Sequence, residues 1–220
     1  MNDAIVIQQP ASPAEALVLL FHGVGATAAD MVPLGRRLAT ARPGAMVVSV
    51  SAPHASDLGR GRQWFSVIGV TEDNRPARVR QALPAFAATV EHWQRVAGAR
   101  PGNTAVVGFS QGAIMALEAT QLTAVVAHCV VAIAGRFAQQ PRVAPAVEAV
   151  HLVHGEQDAV IPVAHAMAAA GWLRALGALV TQDLLPGLGH GIDSRAAERV
   201  AERVAAAQSR LMLPRRTSSP

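Results

Sequence analysis

Ser110 stands in Gly108-Phe109-Ser110-Gln111-Gly112, directly after the apolar run 104–107 and directly before the helix-like run 113–117. Gly-x-Ser-x-Gly between a strand and a helix describes a turn so tight that the positions two either side of the serine must be nearly free of side chain. Such a turn lifts the serine Oγ off the end of a sheet. It also points the next backbone N–H, that of Gln111, at the place where an oxyanion would form. The chemistry is nucleophilic attack by a hydroxyl, which needs a base to take its proton and an acid to orient that base. Alone, the pentapeptide is a weak signal, since about one chain in ten of this length would contain it by chance.

In open parallel sheets, reactive groups gather outside the carboxyl ends of the strands. The strand-like run 149–154 feeds Gly155-Glu156-Gln157-Asp158, which puts Asp158 in such a loop as the acid. The run 178–184 feeds Leu185-Pro186-Gly187-Leu188-Gly189-His190, which puts His190 in the next one as the base. Glu156 is the main rival to Asp158, while Asp183 falls inside a strand and Asp193 just past the histidine. The other histidines have plainer places: His92 in a helix, His128 and His151 in strands, His154 at a strand end, His165 on a helix beyond Pro162, and His54 in a long loop. His22-Gly23-Val24-Gly25-Ala26 follows the first strong strand, and its glycines let the backbone curl over the site. The Val24 N–H is then the second oxyanion donor beside that of Gln111.

The elements that must position these groups alternate strand and helix throughout, the pattern of an α/β domain with a mostly parallel central sheet and helices on both faces. A weak edge strand is expected at 5–7, and strong strands at Ala16–Phe21 and Ala45–Val50. Between them lies a helix with Asp30 as N-cap and Met31, Leu34 and Leu38 on one face. Residues 51–75 form a long loop of the kind that is usually functional. A helix over 77–97 carries Val79, Leu83, Phe86, Val90, Trp93 and Ala97 at helical spacing, with a kink expected at Pro84. The elbow helix is placed at 111–122, then a strand at 125–133, a helix at 163–176 and a last helix at 195–213. One domain is expected over 1–213, with 214–220 a frayed tail.

Composition narrows the partners. Of 220 residues, 51% are apolar and 15% charged, enough for a large core. The isoelectric point near 11.1 reflects basic residues that are all arginine, since the chain has no lysine and no tyrosine. The net charge is only +4 and the arginines lie among acids such as Glu72, Glu91 and Glu198, without a basic stripe, so nucleic acid is not expected. One cysteine, Cys129, excludes an internal disulfide and reads as a small buried hydrophobe. No apolar run is long enough to span a bilayer and no signal segment is apparent, so a cytoplasmic protein without membrane insertion is expected. No metal or organic cofactor is required. Trp64, Phe65, Ile68 and Leu188 are the candidates for an apolar acyl wall.

Taken together, Phe21-His22-Gly23-Val24-Gly25, Gly61–Ser66 with its Gln63-Trp64-Phe65, the Ser110 elbow, His154-Gly155-Glu156-Gln157-Asp158-Ala159-Val160-Ile161-Pro162 and Gly189-His190 resemble the phospholipase/carboxylesterase family. The resemblance spans roughly residues 16–205. It implies the α/β-hydrolase fold without a large lid, Ser110 as nucleophile, Asp158 and His190 as its partners, and Trp64-Phe65 on the acyl side. A carboxylesterase acting on small-molecule acyl esters is the expected activity, with a lysophospholipase or acyl-thioesterase as the alternative and a non-catalytic ligand-binding protein as the distant one. A monomer or homodimer fits equally. Many family members carry Asp where this chain has Ala26, which questions how the Val24 turn is braced.

Overall fold

Alternate residues of β2 (Ala16–Phe21) serve two different cores: Leu17, Leu19 and Phe21 on one side of the sheet, Ala16, Val18 and Leu20 on the other. A strand buried on both faces has no polar side to present, so it reads as an unbroken apolar run. The computed structural model describes residues 3–10 and 13–211, with side chains described to residue 206. The expected tail at 214–220 lies outside the described residues.

In chain order the elements begin with β1 (Ala4–Gln8), β2, α1 (Val32–Ala41) and β3 (Ala45–Val50). A small hairpin follows, β4 (His54–Ala55) and β5 (Arg62–Gln63), then α2 (Arg75–Ala97), β6 (Thr104–Phe109) and α3 (Gln111–Ala119). The chain closes with β7 (Cys129–Ile133), β8 (Ala149–Gly155), α4 (Ala164–Ala175), β9 (Leu179–Leu185) and α5 (Ser194–Leu211). The seven-stranded sheet runs β1-β3-β2-β6-β7-β8-β9, with β1 an antiparallel edge on β3 and every other pairing parallel. Helices α1 and α5 cover one face through Leu34, Leu38, Val200 and Val204; α2, α3 and α4 cover the other through Phe86, Val90, Met115, Leu117 and Leu173. This is the α/β-hydrolase fold.

Three sequence expectations are corrected. Asp30 is not the N-cap of α1: it closes a short 3-10 turn at Ala28–Met31, where its carboxylate accepts the Thr27 N–H and hydroxyl, each at 2.8 Å. The strand expected over 125–133 begins only at Cys129, the first residue to pair with β6. Val126 and Ala127 are buried before it, with Gln94 Nε2 donating to the Val126 carbonyl at 2.9 Å, so apolar composition there marks burial and not extension. The elbow helix stops at Ala119, where the Thr120 hydroxyl turns back to the Leu117 carbonyl at 2.6 Å. Helix α2 runs as helix through Pro84, which lies on its exposed side. Cys129 is fully buried in β7, and burial pushes its thiol up to about 12, which leaves it a packing residue.

Candidate active site

The elbow is built by close approach. Strand β6 ends beside β2, with Gly108 paired to Phe21. A Cβ on Gly108 would overlap the Gly112 carbonyl, and a Cβ on Gly112 would overlap the carbonyl of Phe21, so both flanking positions must be glycine. Between them Ser110 adopts φ 52° and ψ −114°, a left-handed backbone that a non-glycine residue holds only under constraint. Its N–H donates to the Ile133 carbonyl at 2.9 Å and its own carbonyl accepts the Ile114 N–H at 3.0 Å. The serine thus caps α3, with its side chain at the helix's positive end.

The loops that carry Asp158 and His190 are stitched to one another by backbone. The Glu156 N–H donates to the Leu185 carbonyl at 3.0 Å and the Gln157 N–H to the Leu188 carbonyl at 2.9 Å. At Gly155 a Cβ would overlap the Leu188 carbonyl, so the loops can lie this close only over a glycine. In this frame Asp158 Oδ2 lies 2.7 Å from His190 Nδ1, and His190 Nε2 lies 2.9 Å from Ser110 Oγ. Because the carboxylate can only accept, Nδ1 carries the imidazole proton and Nε2 is left to accept from the serine hydroxyl. The other carboxylate oxygen accepts the Val160 and Ile161 N–H groups, both at 2.8 Å. Burial would push the Asp158 pKa up; the hydrogen bonds from His190, Ile161 and Val160 outweigh it and hold the carboxyl below its ordinary range. Glu156 is exposed, and it is Asp158 that His190 Nδ1 faces.

His154, given only a strand-end position by its sequence, is buried beside Asp158: its Nε2 lies 2.8 Å from the Ile161 carbonyl and 3.2 Å from Asp158 Oδ2. Gln111 carries more than a backbone amide. Its Oε1 accepts the Trp64 N–H at 2.7 Å and its Nε2 donates to the Phe65 carbonyl at 2.8 Å, which ties the elbow to the long loop. The Val24 turn is braced without an acid at Ala26: the Arg62 N–H donates to the Ala26 carbonyl at 2.8 Å and the Gly25 N–H to the Arg62 carbonyl at 3.0 Å. Among the described residues, no acceptor takes the Val24 N–H or the Gln111 N–H, and both residues border the cleft at Ser110.

That cleft has a volume of about 350 Å³ and holds Ser110 against an apolar wall of Phe65, Val67, Val70, Ile114 and Ile161. Of the expected acyl wall, only Phe65 lines it. Trp64 points the other way, into a ring cluster with Phe21 and Phe86 whose centroids lie 6.0 and 5.0 Å from its own. Ile68 is 65% exposed outside the cleft, and Leu188 packs under α5's face of the sheet while its backbone joins the Asp158 loop. The sequence reading also missed the far end of the cleft, where Glu72 and Arg75, Arg136 and His165 come together from three separate segments. The sequence places His165 on a helix beyond Pro162 and Glu72 among the acids beside the arginines, without bringing the two together.

A model of the family described as Phospholipase/Carboxylesterase matches residues 2–207. The chain is 46% identical over 195 residues to "Esterase YpfH" of Escherichia coli (strain K12), covering 89% of this chain and 84% of that protein. The crystal structure of esterase PE8 superposes with a TM-score of 0.82 at 27% identity, over 94% of this chain and 98% of that one. The Bacillus cereus carboxylesterase shares the fold at a TM-score of 0.79 and 18% identity, over 94% and 95% of the two chains. No helix among the described residues is long and apolar enough to cross a membrane. With the fold and the match both spanning nearly its whole length, the chain belongs to the phospholipase/carboxylesterase family.

Proposed function

We propose that this protein is a serine carboxylesterase that hydrolyses small to medium acyl esters through an acyl-enzyme on Ser110. The observation that carries the reading is the unbroken line Asp158 Oδ2–His190–Ser110 Oγ, at 2.7 and 2.9 Å, ending at two uncommitted amides. Ser110 Oγ attacks the acyl carbon while its proton passes to His190 Nε2, and Asp158 stabilises the imidazolium that results. The carbonyl electron pair moves onto oxygen, where the Val24 and Gln111 N–H groups receive it; each donor is worth about 3 kcal/mol of barrier by analogy with other oxyanion holes. As the C–O bond to the alcohol breaks, His190 returns the proton to the leaving oxygen. Water then repeats the sequence on the acyl-enzyme, with His190 again as base, to release the acid and restore Ser110.

A cleft of about 350 Å³ sits at the small end of ligand sites, which favours short and medium acyl groups over long lipid chains. One chain supplies every group named, so a monomer suffices, and we place it in the cytoplasm. The test is a panel of p-nitrophenyl esters and matching thioesters of graded chain length. Turnover that peaks at short to medium esters and vanishes in Ser110→Ala supports the reading; a folded wild-type protein inactive on the whole panel overturns it.

A further inference from the structure

The end of the cleft away from Ser110 is polar in a particular way. Arg75, at the start of α2, and Arg136, in the loop after β7, both pair with the Glu72 carboxylate. Arg136 is held from several sides: its Nε donates to the Phe137 carbonyl at 3.1 Å, and its Nη1 lies 3.0 Å from Glu72 Oε1 and 3.2 Å from His165 Nε2. A guanidinium has only donors, so His165 Nε2 must accept, and the ring is neutral there. Burial, then the neighbouring Arg136, lowers the His165 pKa, in keeping with that state.

Two cations and one anion leave a formal surplus of one positive charge. The arrangement is lopsided: the two arginine side chains are only 15% and 14% exposed, while Glu72 is 65% exposed. The carboxylate therefore braces the arginines from the solvent side and leaves them against the cleft. Among the described residues Arg75 donates its side-chain N–H groups to Glu72 alone, which leaves most of its fork uncommitted. An ion pair that served only to tie two loops would have no need to face the nucleophile's cleft.

We infer that the substrate ester carries a carboxylate, separated from the scissile bond by an apolar spacer and bound by Arg75 against a fixed Arg136. A single surplus charge matches a monoanion, and a planar fork matches a carboxylate's two oxygens. Phe65, Val67 and Val70 would face the spacer between that charge and Ser110. The inference rests on the esterase reading and names its substrate class. The charge could sit on the acyl chain or on the alcohol, and the experiment separates the two.

The test measures kcat/KM in two arms. One compares p-nitrophenyl hemisuccinate and hemiglutarate with uncharged acyl esters of equal length. The other compares acetyl esters of hydroxycarboxylic acids with acetyl esters of plain alcohols. Wild-type protein should prefer the anionic ester in one arm by about tenfold, the scale of a charge-assisted contact. That ratio should collapse toward one in Arg75→Gln, recover in part in Arg75→Lys, and shrink with added salt. The same ratio in Arg75→Gln as in wild type, or no preference in either arm, overturns the inference. Wild-type protein that cleaves no ester in either arm counts against the esterase reading instead. In that event a thermal shift by glutarate, present in wild type and absent in Arg75→Gln, still decides for the anion site, and no shift decides against it.

Discussion

Gln111 Oε1 accepts the Trp64 N–H at 2.7 Å, so the residue next to Ser110 also holds the loop whose Phe65 lines the cleft. Its amide nitrogen closes the second bond, to the Phe65 carbonyl. Gln111→Ala leaves two buried backbone groups without partners. Unfolding in urea should lose roughly 2–4 kcal/mol, the range for stranding buried polar groups. Unchanged stability would mean that the 64–65 segment finds its order elsewhere.

Asp158 and Glu156 lie two residues apart and have opposite surroundings, one buried against His190, the other exposed. Asp158→Asn should lower kcat by about 10⁴, because an amide no longer dictates the imidazole tautomer. Glu156→Gln should change it by no more than about twofold, the expectation for an exposed side chain away from the chemistry. Steady-state kinetics on one ester read both, and equal losses would contradict the assignment.

At Gly112 the constraint is steric. The added Cβ of Gly112→Ala would run into the Phe21 carbonyl, which belongs to the centre of the sheet and cannot swing aside. The variant should lose about 3 kcal/mol or more. Thermal melting measures it, and a melting point within a few degrees of wild type would show that the elbow can widen.

His22 gives the fold a dependence on pH. Its Nε2 accepts the Ala52 N–H at 3.0 Å and its Nδ1 lies 2.7 Å from the Gly23 carbonyl, so the buried ring must be neutral with its proton on Nδ1. Burial lowers its pKa below the ordinary 6.5. A histidine with a depressed folded pKa contributes stability that is whole above its unfolded pKa and is lost as pH falls toward the folded value. His165 is shifted in the same direction and adds to the same slope. Unfolding free energy should therefore fall between about pH 7 and 5, the range in which histidine titrates. A His22→Gln variant should show a shallower slope; an identical slope would remove His22 as its source.

The chemistry was more legible in the chain than the specificity. Gly108 and Gly112 are written into the sequence because contact leaves no room for a side chain, and Asp158 and His190 follow from the rule that loops leave a parallel sheet at one end. The double burial of Ala16–Phe21 likewise forces an unbroken apolar run. Trp64 misled because an aromatic residue in a functional loop reads alike whether it faces a ligand or a core, and only the ring packing on Phe86 decides. The Glu72–Arg75–Arg136–His165 group had no motif at all, since its members are up to 93 residues apart and each alone resembles a solvated charge. The side-chain bonds of Gln111 were invisible for a similar reason: they join segments 46 and 47 residues apart.

The central claim is that Ser110 is a nucleophile activated by His190. The most direct measurement is fluorophosphonate treatment of the folded protein, followed by mass mapping of the labelled peptide. A single adduct on Ser110, absent in Ser110→Ala and slowed in His190→Ala, is the result expected. A folded wild-type protein that takes no label, or one labelled at a residue other than Ser110, would contradict the account.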